Sequence, residues 1–187
     1  MMKQNLNSET PVVILAGGKG SRIVEYTKAI PKPLIRVNRV PILIRIIDHY
    51  KSYGFKDFII ATGYLDNVIK NYFIKKFKKY KNTYHYNGSN IKLIFTGQET
   101  MTGGRLLRLK KYLNKKKYFC LTYGDGVSDI NLNKLIQFHL LHNKCATVTS
   151  VRPPARFGYL NIKKNLVIEF GEKRNIDARG LMEVFLF

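Results

Sequence analysis

The residues best suited to chemistry gather just after the first apolar run. Leu15-Ala16-Gly17-Gly18-Lys19-Gly20-Ser21-Arg22 places three glycines in four positions beside a forked cation. Positions without side chains let backbone N–H groups approach an anion closely, and a guanidinium matches phosphate oxygens. The spacing excludes two common phosphate motifs. A Walker loop needs glycine where Val13 stands and Ser or Thr where Gly20 stands. A dinucleotide fingerprint needs a small residue where Ile23 stands. Further on, Lys32 lies between Pro31 and Pro33. The stiffened backbone holds its ammonium in place, as stabilisation of developing phosphate charge requires. Gly124-Asp125-Gly126 adds a carboxylate between two glycines.

These groups need elements to position them. The apolar run Pro11–Leu15 reads as a buried strand, followed by strands at 57–61, 91–95, 118–122 and 146–151. Between them, helices are expected at 41–53, 65–79, 102–113 and 132–142. A β-hairpin is expected at 158–162 and 166–170, around Lys163-Lys164-Asn165. Strand–helix alternation predicts an α/β fold, a mostly parallel sheet with helices on both faces. Ligands on such sheets bind beyond the carboxyl ends of the strands, where Gly17-Gly18 and Gly124-Asp125 fall. Residues 1–10 read as a polar tail, residues 11–187 as one domain, and residues 76–90 as a polar insertion.

Composition sets the outer limits. The 187 residues are 45% hydrophobic and carry a formal charge of +21, which excludes disorder and predicts attraction to polyanions. A lysine-rich solvated surface gives the same number. The stretch Lys75-Lys76-Phe77-Lys78-Lys79-Tyr80-Lys81, followed by Tyr84, His85 and Tyr86, is the best case for a nucleic-acid module. No secretory signal or membrane span is expected, and Cys120 and Cys145 lack zinc-site spacing. A reducing cytoplasm is the expected compartment.

The combination of Leu-Ala-Gly-Gly-x-Gly-Ser-Arg with Pro31-Lys32-Pro33-Leu34 resembles the sugar-phosphate nucleotidyltransferases. Met101-Thr102-Gly103-Gly104-Arg105 and Tyr123-Gly124-Asp125-Gly126-Val127 point to the branch that acts on CTP and glucose 1-phosphate. The resemblance implies a Rossmann-like three-layer sandwich and cytidylyl transfer yielding CDP-glucose for surface polysaccharide. It implies that Leu15 to Arg22, Lys32, Thr100, Thr102, Gly103, Arg105 and Gly124 bind the nucleotide. Arg22, Lys32 and Asp125 would be catalytic, Asp125 would hold Mg²⁺, and Gly158, Glu172 and Lys173 would face the sugar phosphate. No nucleic-acid or membrane partner is expected, and complete relatives form homo-oligomers. The alternatives are a relative using UTP, dTTP or GTP, and a non-enzymatic basic binding domain.

Two departures bear on this expectation. The family's Glu-Lys-Pro reads Glu172-Lys173-Arg174, and the family's Ile-Asn-Gly-Gly-Phe-Phe-Val reads Leu181-Met182-Glu183-Val184-Phe185-Leu186-Phe187. One back-translation of residues 180–187, read in a shifted frame, restores the family pattern. The expectation is therefore a frame change near Gly180, a fold incomplete at its C-terminus, and weak or absent catalysis by the 187-residue chain.

Overall fold

In the computed structural model the described residues are 3–19, 29–142, 144–151, 159–163, 166–171 and 180–186. The chain divides into two units, residues 1–147 with 183–187, and residues 148–182.

The first unit is organised by β1 (Val12–Ala16), whose five residues are all buried. A strand apolar at every position needs cover on both faces. Its neighbours are β4 (Asp57–Thr62) on one side and β8 (Cys120–Tyr123) on the other, both parallel to it. Parallel β7 (Ser89–Phe95) follows β4. On the other flank, Val184 to Leu186 of β12 (Gly180–Leu186) pair antiparallel with β8.

Successive β1 side chains feed two separate cores. Val12, Ile14 and Ala16 pack with Leu43 and Ile47 of α2 (Ile42–Ser52), Phe73 of α3 (Asp66–Lys76) and Ile136 of α6 (Leu132–His142). Val13 and Leu15 pack with Leu109 and Leu113, at α4 (Thr102–Arg108) and α5 (Lys110–Leu113). The result is a three-layer α/β arrangement, as expected. None of the helices is long and apolar enough to cross a membrane, among the described residues.

Three segments differ from expectation. Residues 76–90 are not a plain insertion, because β5 (Lys78–Tyr80) and β6 (Thr83–Tyr86) extend the sheet antiparallel from β7. Tyr84, buried against Phe73, anchors that hairpin, and the preceding helix stops at Lys76 because Phe77 is extended. The expected helix 102–113 is two pieces meeting at Leu109. Residues 3–9, within the expected tail, form helix α1 (Lys3–Glu9). The buried Asn7 amide donates to the Tyr53 carbonyl at 2.6 Å and to Asn133 Oδ1 at 2.9 Å, which ties α1 to the core.

A short hairpin, β2 (Arg36–Val37) and β3 (Val40–Pro41), follows the 3-10 turn Lys32–Leu34. In the second unit, β10 (Tyr159–Lys163) and β11 (Leu166–Gly171) pair antiparallel, with an irregularity between Asn161 and Ile162. β9 (Thr147–Val151) begins where α6 has ended.

Candidate functional site

Parallel strands β1 and β8 end side by side, and the Gly124 N–H donates to the Leu15 carbonyl at 2.8 Å. That bond brings the two sequence motifs together at the carboxyl edge of the sheet. A cleft of about 220 Å³ opens there. Its walls include Leu15 to Gly18 from the end of β1, Lys32 and Pro33, Thr100 to Thr102 with Arg105, and Tyr123 to Asp125.

Lys32 and Asp125 form an ion pair across the cleft, 93 residues apart in sequence. Pro31 caps the 3-10 turn and Leu34 is buried, so the lysine stem starts from an anchored backbone. Both charged groups keep roughly a quarter to a third of their surface exposed (30% and 26%). A pair so exposed is worth no more than about 1 kcal/mol, so an incoming anion and cation can separate it.

Arg105 has a different setting. It is 4% exposed and has no carboxylate partner among the described residues. Nη1 donates to Thr96 Oγ1 at 2.7 Å, the Gly97 carbonyl at 2.9 Å and the Thr62 carbonyl at 3.1 Å. Nη2 donates to the Gly17 carbonyl at 2.8 Å. Burial first, and then the nearby Arg108 charge, lower its pKa from the ordinary guanidinium value. One guanidinium thus joins the ends of β1, β4 and β7. Arg108 extends the brace, donating to the Thr96 carbonyl at 2.5 Å and to Thr100 Oγ1 at 2.7 Å.

This explains Gly17. A Cβ there would lie 2.2 Å from Arg105 Nη1 and 2.4 Å from Cζ, closer than two such atoms can approach. Gly18 has nothing within 4 Å of the same position, so its bare backbone faces open space that a ligand can use. Gly124 is confined by Pro33 Cγ at 3.0 Å and the Leu15 carbonyl at 3.1 Å.

Of the candidates chosen from sequence, Leu15, Ala16, Gly17, Gly18, Lys32, Thr100, Thr102, Arg105, Gly124 and Asp125 all line the cleft. Lys19 does not: it turns outward to Glu99 at 2.7 Å. Gly103 sits in the first turn of α4 beside the cleft, not in its wall. Gly20, Ser21, Arg22, Gly158, Glu172 and Lys173 lie outside the described residues. Reading the sequence missed Pro33, Met101 and Tyr123 as wall residues and missed Arg108 as a brace. Tyr123, whose hydroxyl is 3.4 Å from Thr102 Oγ1, could have been found as the last residue of the strand that delivers Asp125.

Asp125 is the cleft's one carboxylate among the lining residues, and the described residues hold no cluster of three or more metal-ligating side chains. A single hard carboxylate suits a cation that keeps its waters and shares phosphate oxygens with a substrate. It does not suit an all-protein metal cage.

Comparison with known proteins bears on this geometry. The nucleotidyl transferase family matches residues 11–181. The chain is 42% identical over 179 residues to glucose-1-phosphate cytidylyltransferase of Salmonella typhimurium, covering 89% of this chain and 70% of that protein. It is 38% identical, with the same coverage, to the probable glucose-1-phosphate cytidylyltransferase of Bacillus subtilis. Among solved structures, HddC from Yersinia pseudotuberculosis complexed with GMP-PN superposes with a TM-score of 0.66 at 25% identity. That match covers 95% of this chain and 76% of the other.

Proposed function

The chain belongs to the nucleotidyl transferase family, and from that premise we propose that it transfers the cytidylyl group of CTP to glucose 1-phosphate. A phosphate oxygen of the sugar phosphate attacks the α-phosphorus, the α–β bridging P–O bond breaks, and pyrophosphate leaves with CDP-glucose as product. The observation that carries the reading is the meeting of Lys32, Asp125 and the open Gly18 backbone in one cleft, in a chain 42% identical to a glucose-1-phosphate cytidylyltransferase.

The attacking oxygen is already anionic, so no general base is needed. The obstacle is bringing one anion to another, and the cleft's own residues address it. The backbone from Leu15 to Gly18 takes the base and the phosphates. Thr100 and Thr102 close the opposite wall. Lys32 leaves Asp125 and moves onto the phosphates, so the ligand-free ion pair stores both charged groups at the place of reaction. Asp125, once released, would hold Mg²⁺, which when bound neutralises triphosphate charge. Arg22 is assigned to the same phosphates. Gly158, Glu172 and Lys173 are assigned to the sugar phosphate. Arg105 works indirectly by fixing the Gly17 carbonyl.

We place the protein in the cytoplasm and read residues 11–187 as one nucleotidyltransferase domain. The test is pyrophosphate release with Mg²⁺, glucose 1-phosphate and CTP, UTP, dTTP or GTP in turn. Turnover greatest with CTP supports the assignment. Preference for another nucleotide, or no magnesium-assisted CTP binding by the folded chain in calorimetry, overturns it.

A further inference from the structure

A second groove, of about 340 Å³, shares no lining residue with the cleft. It lies among the β2–β3 hairpin, α2, the end of α3 and β6. Tyr72, Phe77 and Tyr86 give it an aromatic wall, with Phe77 and Tyr86 ring centroids 5.0 Å apart and Tyr72 and Phe77 6.1 Å apart. Arg36, Arg39 and Lys76 supply three cations, none of which is ion-paired among the described residues. Asp48 is the lining's one carboxylate, and it is already engaged by the Tyr86 hydroxyl at 3.2 Å and Lys51 at 3.6 Å. Lys51 also sits 4.1 Å from the Tyr86 ring centroid, which adds another positive charge to the wall.

The hairpin tip gives independent support. Asn38 and Arg39 form a two-residue turn with φ of +48° and +67°. Two left-handed residues in a tight hairpin favour Asn followed by Gly, because a Cβ at the second position is strained there. Here that position holds Arg39, an exposed residue that lines the groove. Backbone strain of this kind clusters at ligand sites.

We propose that this groove is a second binding site for a nucleotide, with the base against the aromatic wall and the phosphates on Arg36, Arg39 and Lys76. Planar rings recognise a base, unpaired cations recognise phosphates, and the volume falls in the range of small-ligand sites. With no carboxylate free to hold a metal, binding here is metal-independent, unlike binding in the cleft.

Equilibrium dialysis of the full chain with ADP in excess EDTA tests this. One saturable site is expected. Arg39→Gly lowers its affinity about tenfold, the usual effect of losing one charge-assisted hydrogen bond. Because glycine relieves the turn, the same substitution raises Tm by about 2–4 °C. Lys32→Ala leaves ADP binding in EDTA unchanged. No binding in EDTA, an Arg39→Gly chain that binds as well as the parent, or loss of binding in Lys32→Ala overturns the proposal. So does inorganic pyrophosphate competing as tightly as ADP, since the rings would then add nothing. Dialysis reads binding without turnover, so this outcome is independent of the catalytic assignment.

Discussion

Arg105→Lys separates a brace from a ligand contact. Lysine keeps the positive charge but offers one nitrogen in place of two. It can serve the acceptors now on Nη1, namely Thr62, Thr96 and Gly97, or the Gly17 carbonyl on Nη2, but not both sets. At least one charge-assisted bond is lost outright at about 1.5–3 kcal/mol, and the rest keep poorer geometry, so about 3 kcal/mol of stability should go. For a chain of this size that is a fall in Tm of about 6–12 °C. If the Gly17 carbonyl is the group released, ordering Gly17 again on binding costs about 1–2 kcal/mol, or roughly five- to thirtyfold in CTP affinity. Circular dichroism melting and calorimetric titration with CTP and Mg²⁺ read the two effects. An unchanged Tm with weakened CTP binding would refute the reasoning, because Arg105 would then act on the nucleotide directly.

The glycines give a paired prediction: Gly17→Ala, forced against the Arg105 guanidinium, should lose about 1–3 kcal/mol in urea unfolding, whereas Gly18→Ala, which meets nothing, should unfold like the parent but bind CTP more weakly. Equal unfolding midpoints for the two variants would show that the close contact is not limiting. Lys32→Ala should lower turnover in the pyrophosphate assay by roughly 10² to 10³, and a near-unchanged rate would remove Lys32 from the mechanism. A pH effect comes from α6. Burial first, then the neighbouring His142, hold His139 below the usual imidazole value. The unfolded chain therefore takes up a proton near pH 6.5 that the folded chain resists, so stability is complete above that pH and falls as pH drops through it. The urea midpoint should decline between about pH 7.5 and about pH 5.5, and His139→Asn, which retains an acceptor for Thr147, should flatten that decline. An equal decline in the variant would assign the effect elsewhere.

What could be read from the chain divides along a physical line. The strands at the sheet centre and the helices at 42–52 and 132–142 were legible because local pattern and tertiary burial agree there. The hairpin 78–86 was not, because a lysine-rich run reads as solvated surface. Its pairing is set by the register of Tyr84 on Ile91, and only the fold supplies that partner. Helix α1 was missed for a similar reason, since Asn7 is held by Tyr53 and Asn133, 46 and 126 residues away. At the cleft, Lys32 and Asp125 stood out as residue types, but their pairing across 93 residues did not. Arg105 was noticed as a cleft residue, but not for the carbonyls it holds. Four of its acceptors are Gly17, Thr62, Gly97 and Gln98 carbonyls, and a carbonyl leaves no trace in residue identity.

The net charge of +21 therefore understates how differently the cations are used. Arg105 is buried among oxygens it cannot leave, and its charge is spent on backbone geometry. Lys32 is partly exposed and tethered to one carboxylate, so its charge is held far less firmly. Exchanging the two types would fail in both places. A lysine cannot bridge the strand ends at position 105. A guanidinium at position 32 would grip Asp125 through two nitrogens and give it up less readily. The cleft needs one cation that never moves beneath the loop and one that does at its rim. On that division, more than on the amount of positive charge, the proposed phosphate chemistry at this sheet edge rests.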